Sequence, residues 1–178
     1  MRVRIVAGEF GGRFISAPTG STTHPMGERV RSAMFNSLGD ISEANVLDAF
    51  SGSGAIGLEA LSRVARSVVF IERDRNAIRT LRENTELLGV TEKCIVINTT
   101  VNNWLETASP DEFDVIFADP PYHKPQFPTI KRLMGLLKVG GSMILSHPGS
   151  SEVLTQNGIV VVDNRSYGNA HLTRFRRE

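Results

Sequence analysis

The stretch that decides the fold is VLDAFSGSGAIG, residues 46–57, where a short apolar run leads directly into a glycine-rich turn. A helical pattern begins at Ala55, so the turn stands between a predicted strand and a predicted helix. Gly52, Gly54 and Gly57 have the G-x-G-x-x-G spacing of nucleotide-binding βαβ units. The stretch therefore predicts the first strand, turn and helix of a Rossmann-like α/β domain.

Short apolar runs alternate with helical patterns after this stretch, which is typical of a mostly parallel sheet covered by helices. We predict buried strands over residues 46–50, 68–71, 95–97, 115–118 and 143–145. Helices are predicted over 55–64, 75–88 and 129–137, the last ended by Val139-Gly140-Gly141. A short helix at Val153-Leu154 and an antiparallel pair over 159–162 and 172–175 would complete the sheet.

Residues 1–40 follow a different pattern and are predicted to form a small N-terminal extension. Alternating residues over 2–7 and 13–17 flank a glycine-containing turn, which indicates a β-hairpin. An irregular segment over 18–27 and a helix over 28–38 follow. We therefore divide the chain into a hairpin-and-helix extension, 1–40, and a cofactor-binding α/β domain, 41–178.

The composition is that of an ordinary globular protein and excludes disordered and fibrous classes, with 178 residues, 40% apolar and 22% charged. A net charge of +1 gives no general signal for nucleic acid, although arginines cluster at both ends. The N-terminus lacks a signal peptide's apolar region, and no apolar run approaches the ~20 residues of a membrane span. Cys94 is expected to be a buried strand residue. We expect a cytoplasmic protein that is not membrane-bound.

Two carboxylates near the glycine turn indicate which cofactor binds. Glu72 ends the next apolar run and lies 20 residues after Gly52, where a carboxylate can bind two ribose hydroxyls. Asp48 would repel a dinucleotide pyrophosphate but would attract the ammonium and sulfonium of S-adenosylmethionine. Asp48 could instead only cap the following helix. The Asp48-x-Phe50-x-Gly52-x-Gly54 pattern resembles the first motif of class I methyltransferases.

That resemblance implies that the adenine lies beyond the third predicted strand, at residues 98–102. Methyltransferases often have Asp or Asn at the position that we align with Thr100. Thr100 and Val101 are therefore the expected contacts, and Asn98 or Asn102 are alternatives for the adenine amino group.

The tetrapeptide Asp119-Pro120-Pro121-Tyr122, a DPPY motif, follows the fourth predicted strand and is the candidate catalytic site. The Asp119 carboxylate and a main-chain carbonyl can accept both N–H bonds of an amine on an aromatic ring and orient its nitrogen. Tyr122 offers a face on which a flipped base can stack. Attack on a sulfonium methyl needs no metal. The tetrapeptide could otherwise be a plain turn.

The DPPY motif is similar to that of N-methyltransferases that act on adenine, guanine or glutamine amide. The segments RIVAGEFGGR, residues 4–13, and HPMGERVRSAMFN, residues 24–36, resemble the RsmD family of 16S rRNA guanine-N2 methyltransferases. The resemblance continues through FSGSGAIGLEALS, residues 50–62. It implies methylation of a guanine N2 amine in 16S rRNA with S-adenosylmethionine, on the small subunit or an assembly intermediate.

Basic residues near both motifs are candidates for RNA contact, although each could simply be solvated. These candidates are Arg2, Arg4, Arg13, Arg29, Arg31, His123 and Lys124.

Four other functions share parts of the pattern. An N6-adenine methyltransferase on DNA or RNA would use the same motifs, but the chain leaves little room for a region that recognises DNA sequence. A protein-glutamine methyltransferase typically has Asn in place of Asp119. A non-catalytic nucleotide-binding module or a dinucleotide oxidoreductase would leave Asp48 and the DPPY motif unexplained.

Overall fold

The computed structural model describes residues 1–19, 25–149 and 154–178, which form a small hairpin and a seven-stranded sheet with helices on both faces. The strands are β1 (Arg2–Arg4), β2 (Phe14–Ser16), β3 (Asn45–Asp48), β4 (Ser67–Glu72), β5 (Cys94–Asn98), β6 (Phe113–Ala118), β7 (Leu137–Pro148), β8 (Ile159–Tyr167) and β9 (Ala170–Arg177). The helices are α1 (Glu28–Leu38), α2 (Ala55–Ser62), α3 (Arg75–Leu88), α4 (Val101–Leu105) and α5 (Phe127–Met134). Within these ranges, no helix combines the length and apolar character that crossing a membrane requires.

The sheet has the strand order β5-β4-β3-β6-β7-β9-β8, and β9 runs antiparallel to both of its neighbours. The predicted α/β fold, mostly parallel with an antiparallel C-terminal strand, is confirmed. The chain moves outward from β3 through β4 to β5 and then crosses to β6 on the other side of β3. Ligands in such sheets bind at this reversal, beyond the carboxyl ends of the strands. Asp48 and Asp119 lie there.

Alternating side chains of the parallel strands build two hydrophobic cores, one on each face of the sheet. Val46 and Phe117 pack with Phe35 of α1, while Leu47 and Ile116 face the layer formed by α4 and α5. Strands with both faces buried are apolar throughout, which explains why these runs stand out in the sequence.

The segment between α5 and β7 differs from the prediction. Helix α5 ends at Met134, and β7 begins at Leu137, before the glycines that we expected to end the helix. Pairing with β6 changes from Phe113–Leu137 to Val115–Ser142, so the intervening residues bulge from the strand. Gly140 permits this bulge because its φ is +82°.

Other boundaries differ by smaller amounts, because tertiary contacts decide where an element ends. Strand β3 ends at Asp48 rather than at residue 50, and α2 ends at Ser62. Helix α4 was not predicted. Val153 of the predicted short helix lies outside the described residues, and Leu154 belongs to no helix. Cys94 begins β5 as expected but is only partly buried, because β5 is at the edge of the sheet; this partial burial raises the pKa of its thiol to about 12.

Glu59 of α2 attaches the N-terminal extension to the α/β core. Its buried carboxylate accepts hydrogen bonds from the backbone N–H of Val6 (2.7 Å) and Ala7 (3.0 Å). It also pairs with the buried Arg31 guanidinium at 3.6 Å. The hairpin residue Ile5 belongs to the same core cluster as α1 and α2. The extension therefore packs as part of the core, and the boundary at residue 40 remains a proposal.

Replacing Glu59 is expected to destabilise the fold strongly. Glu59→Ala would remove the ion-pair partner of the buried Arg31 and the acceptor of two part-buried backbone N–H groups, which should lower the free energy of unfolding by about 3–5 kcal/mol. The control is Glu106→Ala, which removes an exposed salt bridge to Arg132 and should cost less than about 1 kcal/mol. Urea denaturation measures both, and equal losses would contradict the role of Glu59.

Candidate active site

The glycine turn between β3 and α2 requires glycine at two positions. Gly54 has a φ of +81°, and a Cβ there would lie 2.2 Å from Leu81 Cδ1. A Cβ on Gly57 would lie 2.3 Å from Phe70 Cε1, so α2 could not pack as closely against β4. Gly54 allows the tight turn, and Gly57 allows α2 to pack closely against β4. These are the roles expected of glycines in this motif. Gly52, also at positive φ, leaves space open beside the turn.

Asp48 is the buried carboxylate at the end of β3. Its Oδ2 accepts a hydrogen bond from the Gly57 N–H at 3.0 Å, so it does cap the first turn of α2. Burial raises the pKa of Asp48 to about 7; the hydrogen bond from Gly57 opposes this rise, and the charges of Asp119 and Glu72 add smaller increases. Among the described residues nothing donates to Oδ1. Capping therefore uses only one of its two oxygens.

Glu72 is held by main-chain donors at the end of β4. Its Oε2 accepts from the Gly52 N–H and its Oε1 from the Asp74 N–H, each at 2.8 Å. Each oxygen keeps a second lone pair, so the carboxylate can still accept from a ligand hydroxyl. The two bonds fix Glu72 against the glycine turn. Phe50, half-buried, follows β3 in the same turn region.

The DPPY segment follows β6, and its Asp119 comes next after Ala118, which pairs with Leu145 of β7. Burial raises the pKa of Asp119 to about 6, and the nearby Ser146 hydroxyl opposes this rise. The Pro121 carbonyl accepts from the Lys124 N–H at 2.9 Å. In the part of the chain that the structure describes, no main-chain donor reaches the Pro120 carbonyl. Pro120 thus offers the free acceptor beside Asp119.

Tyr122 is partly exposed, and its hydroxyl is 2.8 Å from Ser146 Oγ. Ser146 is not among the predicted site residues, although a serine within the apolar run of β7 is unusual for a buried strand. The residues around Ser146 in the sequence do not indicate which side chain its hydroxyl would contact.

The segment expected to contact adenine is partly occupied by local hydrogen bonds. Thr100 caps α4 by accepting from the Asn103 N–H, and the buried Val101 begins that helix. The Asn102 side-chain oxygen accepts from the Thr129 hydroxyl at 2.7 Å. Asn98 uses its NH₂ group to bind the carbonyls of Glu72 and Arg73, which leaves its side-chain oxygen as an acceptor.

Comparisons with known proteins identify the family. A family model described as conserved hypothetical protein 95 matches residues 3–176. The Bacillus subtilis protein YlbH is 31% identical over 173 residues, which cover 93% of this chain and 94% of that protein. Ribosomal RNA small subunit methyltransferase D of Haemophilus influenzae is 39% identical over 68% of this chain and 64% of its own length. The chain belongs to the RsmD family.

The solved structures support the same assignment. The structure of yhhF from Escherichia coli superposes with a TM-score of 0.88 at 29% identity and covers 100% of this chain and 99% of that one. The RsmD-family resemblance of the sequence and the methyltransferase fold are confirmed. Among residues 1–19, 25–149 and 154–178, no group of three or more His, Cys, Asp or Glu is arranged to hold a metal ion.

The RsmD-family Arg-Val-Arg segment gives its two arginines different environments. Arg29 is exposed, whereas Arg31 is fully buried and donates to the carbonyls of Met26 and Arg4. The expectation that Arg31 contacts RNA is therefore wrong for this conformation. Positions two apart on a helix point about 200° apart, which separates an outer from an inner residue. His24 of the same segment lies outside the described residues.

The remaining basic candidates are exposed but differ in their contacts. Arg4 pairs with Glu28 at 2.6 Å, and Arg13 donates to the Leu87 carbonyl at 2.8 Å. Arg2 lies over the Phe14 ring at 4.6 Å. The exposed residues of this set with no side-chain ion pair or hydrogen bond to another described residue are Arg2, Arg29, His123 and Lys124.

The buried acid at position 48 predicts a pH dependence of stability. Its pKa is about 7 in the fold against 3.8 for an ordinary Asp, so its contribution is present at low pH and lost as pH rises through 7. Asp48→Asn cannot ionise, so it does not lose stability as pH rises. Its side-chain oxygen can still accept the hydrogen bond from the Gly57 N–H. We expect the variant to gain roughly 2–4 kcal/mol relative to wild type between pH 4 and pH 8.

Urea denaturation of the cofactor-free protein at several pH values measures this difference. Asp40→Asn is the control, because hydrogen bonds from Ser42 lower the pKa of Asp40 and give the opposite trend. A constant difference between Asp48→Asn and wild type across this range would contradict the assignment.

Proposed function

We propose that this protein transfers a methyl group from S-adenosylmethionine to the exocyclic N2 amine of a guanine in 16S rRNA. The observation that carries the proposal is the pair of acceptors, the Asp119 carboxylate and the Pro120 carbonyl, beside the partly exposed Tyr122. This set fits an amine on a flat aromatic ring, because it accepts two N–H bonds next to a face for stacking. The relatives named small subunit methyltransferase D favour rRNA over DNA.

The acidic crevice fits the proposed cofactor. Asp48, Asp119 and Glu72 lie close enough that the charges of the latter two raise the pKa of Asp48. A ligand that carries an ammonium and a sulfonium would relieve this repulsion, whereas a pyrophosphate would increase it. When bound, S-adenosylmethionine supplies an electrophilic methyl group on its positively charged sulfur. The residues proposed to hold it are Asp48, Phe50, Gly52, Gly54, Glu72, Thr100, Val101 and Asp119.

Asp119 has two proposed tasks toward the target amine. As a carboxylate it accepts one N–H bond, which orients the nitrogen lone pair and increases its electron density. After methylation the nitrogen must lose one proton, and the Asp119 carboxylate already holds the N–H that carries it. Burial raises the pKa of Asp119 to about 6, which makes it a better proton acceptor than an exposed aspartate and still ionised at neutral pH.

The prolines and Tyr122 would present the base to these acceptors. Proline lacks an N–H and fixes φ, so the turn cannot donate to the acceptors or relax easily. Tyr122 stacks on the base with its ring, an interaction worth about 1–3 kcal/mol per base. His123 and Lys124 follow directly and would bind phosphates next to the flipped guanine. The proposed partner is the small ribosomal subunit or an assembly intermediate, in the cytoplasm.

Methyl transfer to different acceptors tests the substrate and the catalytic residue together. Tritiated methyl donor is offered with 16S RNA, small subunits lacking the modification, duplex DNA and a release-factor protein. We expect N2-methylguanosine on RNA or subunits. Asp119→Asn should lose about 100-fold or more of kcat because it replaces the acceptor carboxylate. Asp163→Asn, which changes an aspartate of β8, should stay near wild type.

Binding of S-adenosylhomocysteine separates folding from catalysis in these variants. A thermal shift in both variants shows an intact fold and cofactor site. Label on DNA or protein alone would reject the rRNA assignment, and full activity of Asp119→Asn would reject its catalytic role.

Charge removal at Arg29 and Lys124 tests the proposed RNA contacts. Each alanine variant should weaken RNA binding and reduce the slope of log K against log salt by about one phosphate contact. Arg66→Ala is the control, because Arg66 precedes β4 at the opposite end of the parallel strands and pairs with Glu43 at 3.1 Å. Titration of labelled RNA at several salt concentrations measures the slopes. Equal slopes in all variants would exclude these two residues.

A further inference from the structure

The outer face of α3 carries a row of arginines. Arg75, Arg79 and Arg82 stand at positions i, i+4 and i+7, so they lie on one face of the helix. All three are exposed, whereas Ile78 and Leu81 between them are buried. In the part of the chain that the structure describes, no acidic side chain or carbonyl binds any of the three guanidinium groups. The row is therefore open to a ligand.

The distribution of charge along α3 does not serve the helix itself. The macrodipole makes the N-terminal end of a helix positive and its C-terminal end negative, so acidic residues are favoured first and basic residues last. Helix α3 has the reverse order, with Arg75 and Arg79 in its first half and Glu83 and Glu86 in its second. Glu83 and Glu86 also follow Arg79 and Arg82 by four residues, yet neither pair forms a salt bridge within the described residues. The arrangement points to a role at the surface.

The row begins beside the proposed cofactor crevice. Arg75 directly follows Asp74, whose N–H donates to the Glu72 carboxylate. Arg75 and Arg79 line an open groove of about 420 Å³ together with Asn98, the residue of β5 that pairs with Glu72. The groove therefore lies at the carboxyl ends of β4 and β5, at the same edge of the sheet as the crevice.

The row is also next to the N-terminal hairpin. Leu81 of α3 and Ile15 of β2 belong to the core cluster on the same face of the sheet. The Asn84 side chain accepts from the Ser16 N–H and donates to the Ser16 carbonyl, each at 2.9 Å, which fixes β2 against α3. Arg13 donates to a carbonyl in the last turn of α3. The arginine row thus adjoins the extension that contains most of the candidates for RNA contact.

We propose that Arg75, Arg79 and Arg82 form a phosphate-binding row that holds the backbone of the RNA substrate outside the cofactor crevice. The proposal rests on the proposed function and extends its RNA surface to α3. The acidic crevice repels phosphates, so the RNA backbone needs positive charge around the crevice. The row spans about 10 Å along the helix axis, which matches two or three successive phosphates of one strand.

The chemistry of this face favours RNA over an acidic protein. All three cations are arginines, whose planar guanidinium groups can bind phosphate oxygens through two parallel hydrogen bonds. The groove is lined by charged and polar residues except for Ile78, which is buried. A protein partner would be expected to meet a more apolar centre.

Neutralising part of the row should weaken RNA binding in a salt-dependent way. The double variant Arg79→Gln/Arg82→Gln keeps good helix formers and leaves Arg75, which borders the segment that holds Glu72. We expect the slope of log K against log salt to decrease by about 1.4, since each phosphate contact on a single strand contributes about 0.7. KM for RNA should rise several-fold, with kcat and the thermal shift by S-adenosylhomocysteine unchanged. Titration of labelled 16S RNA at several salt concentrations measures the slope.

The matched control is Lys131→Gln/Arg132→Gln, which removes the same charge from α5 on the opposite face of the sheet. Its slope should stay close to that of wild type. A wild-type slope in Arg79→Gln/Arg82→Gln, or an equal decrease in both double variants, would overturn the proposal. Unchanged binding of naked RNA with reduced methylation of subunits would indicate an acidic protein partner and would also overturn it.

Thermal unfolding separates a binding role from a structural one. Removing two arginines that have no partner should leave the Tm of the cofactor-free protein unchanged or slightly raised. A clear decrease in Tm would show that these arginines stabilise the fold and would overturn the proposal. Failure of the proposed function would appear separately, as absence of N2-methylguanosine from RNA treated with the wild-type protein, whatever the binding slopes.

Discussion

The hydrogen bond between the Asp48 carboxylate and the Gly57 N–H organises the whole site. It joins the end of the central strand β3 to the first turn of α2, across the glycine turn. Because the carboxylate is buried, it can be tolerated only with such a donor or as a neutral acid. The other acidic residues of the crevice are brought close to Asp48 by the same turn and by the neighbouring strand. Gly52 reaches Glu72 from the same turn, and β6 brings Asp119 alongside β3.

Bringing three acids to one edge of a sheet opposes folding of the empty protein and favours binding of a cation. Asp48 and Asp119 both have raised pKa values because burial removes the water that would stabilise their charge. This unfavourable arrangement lies where the ends of three strands, β3, β4 and β6, meet the glycine turn. Such clusters are typical of functional sites, since a ligand of opposite charge then gains affinity from relieving them. The same electrostatics sets the proton affinity that Asp119 needs as an acceptor.

The sequence predicted the parts of the site that depend on short segments. The glycine turn, Glu72 and the DPPY motif each lie at a strand end, and the parallel order brings strand ends together. Contacts that depend on distant pairing were not predictable. The Ser146 hydroxyl reaches the Tyr122 hydroxyl only because β7 pairs with β6 in one register, and the bulge at Gly140 helps to set that register. Helix α4 has only 5 residues, too few for a periodic pattern to show.

The buried position of Arg31 shows that a residue of a family motif can have a structural role. Arg31 was expected at the RNA surface because it stands beside Arg29, but its buried guanidinium is paired with Glu59. Glu59 lies on α2, two positions after the Gly57 that donates to Asp48. The N-terminal hairpin, Arg31 and the cofactor crevice are therefore all anchored on one helix of 8 residues. A displacement of α2 would disturb both the attachment of the extension and the capping of Asp48, although Asn84 of α3 also holds the hairpin through the Ser16 backbone. The extension and the crevice are therefore coupled through α2.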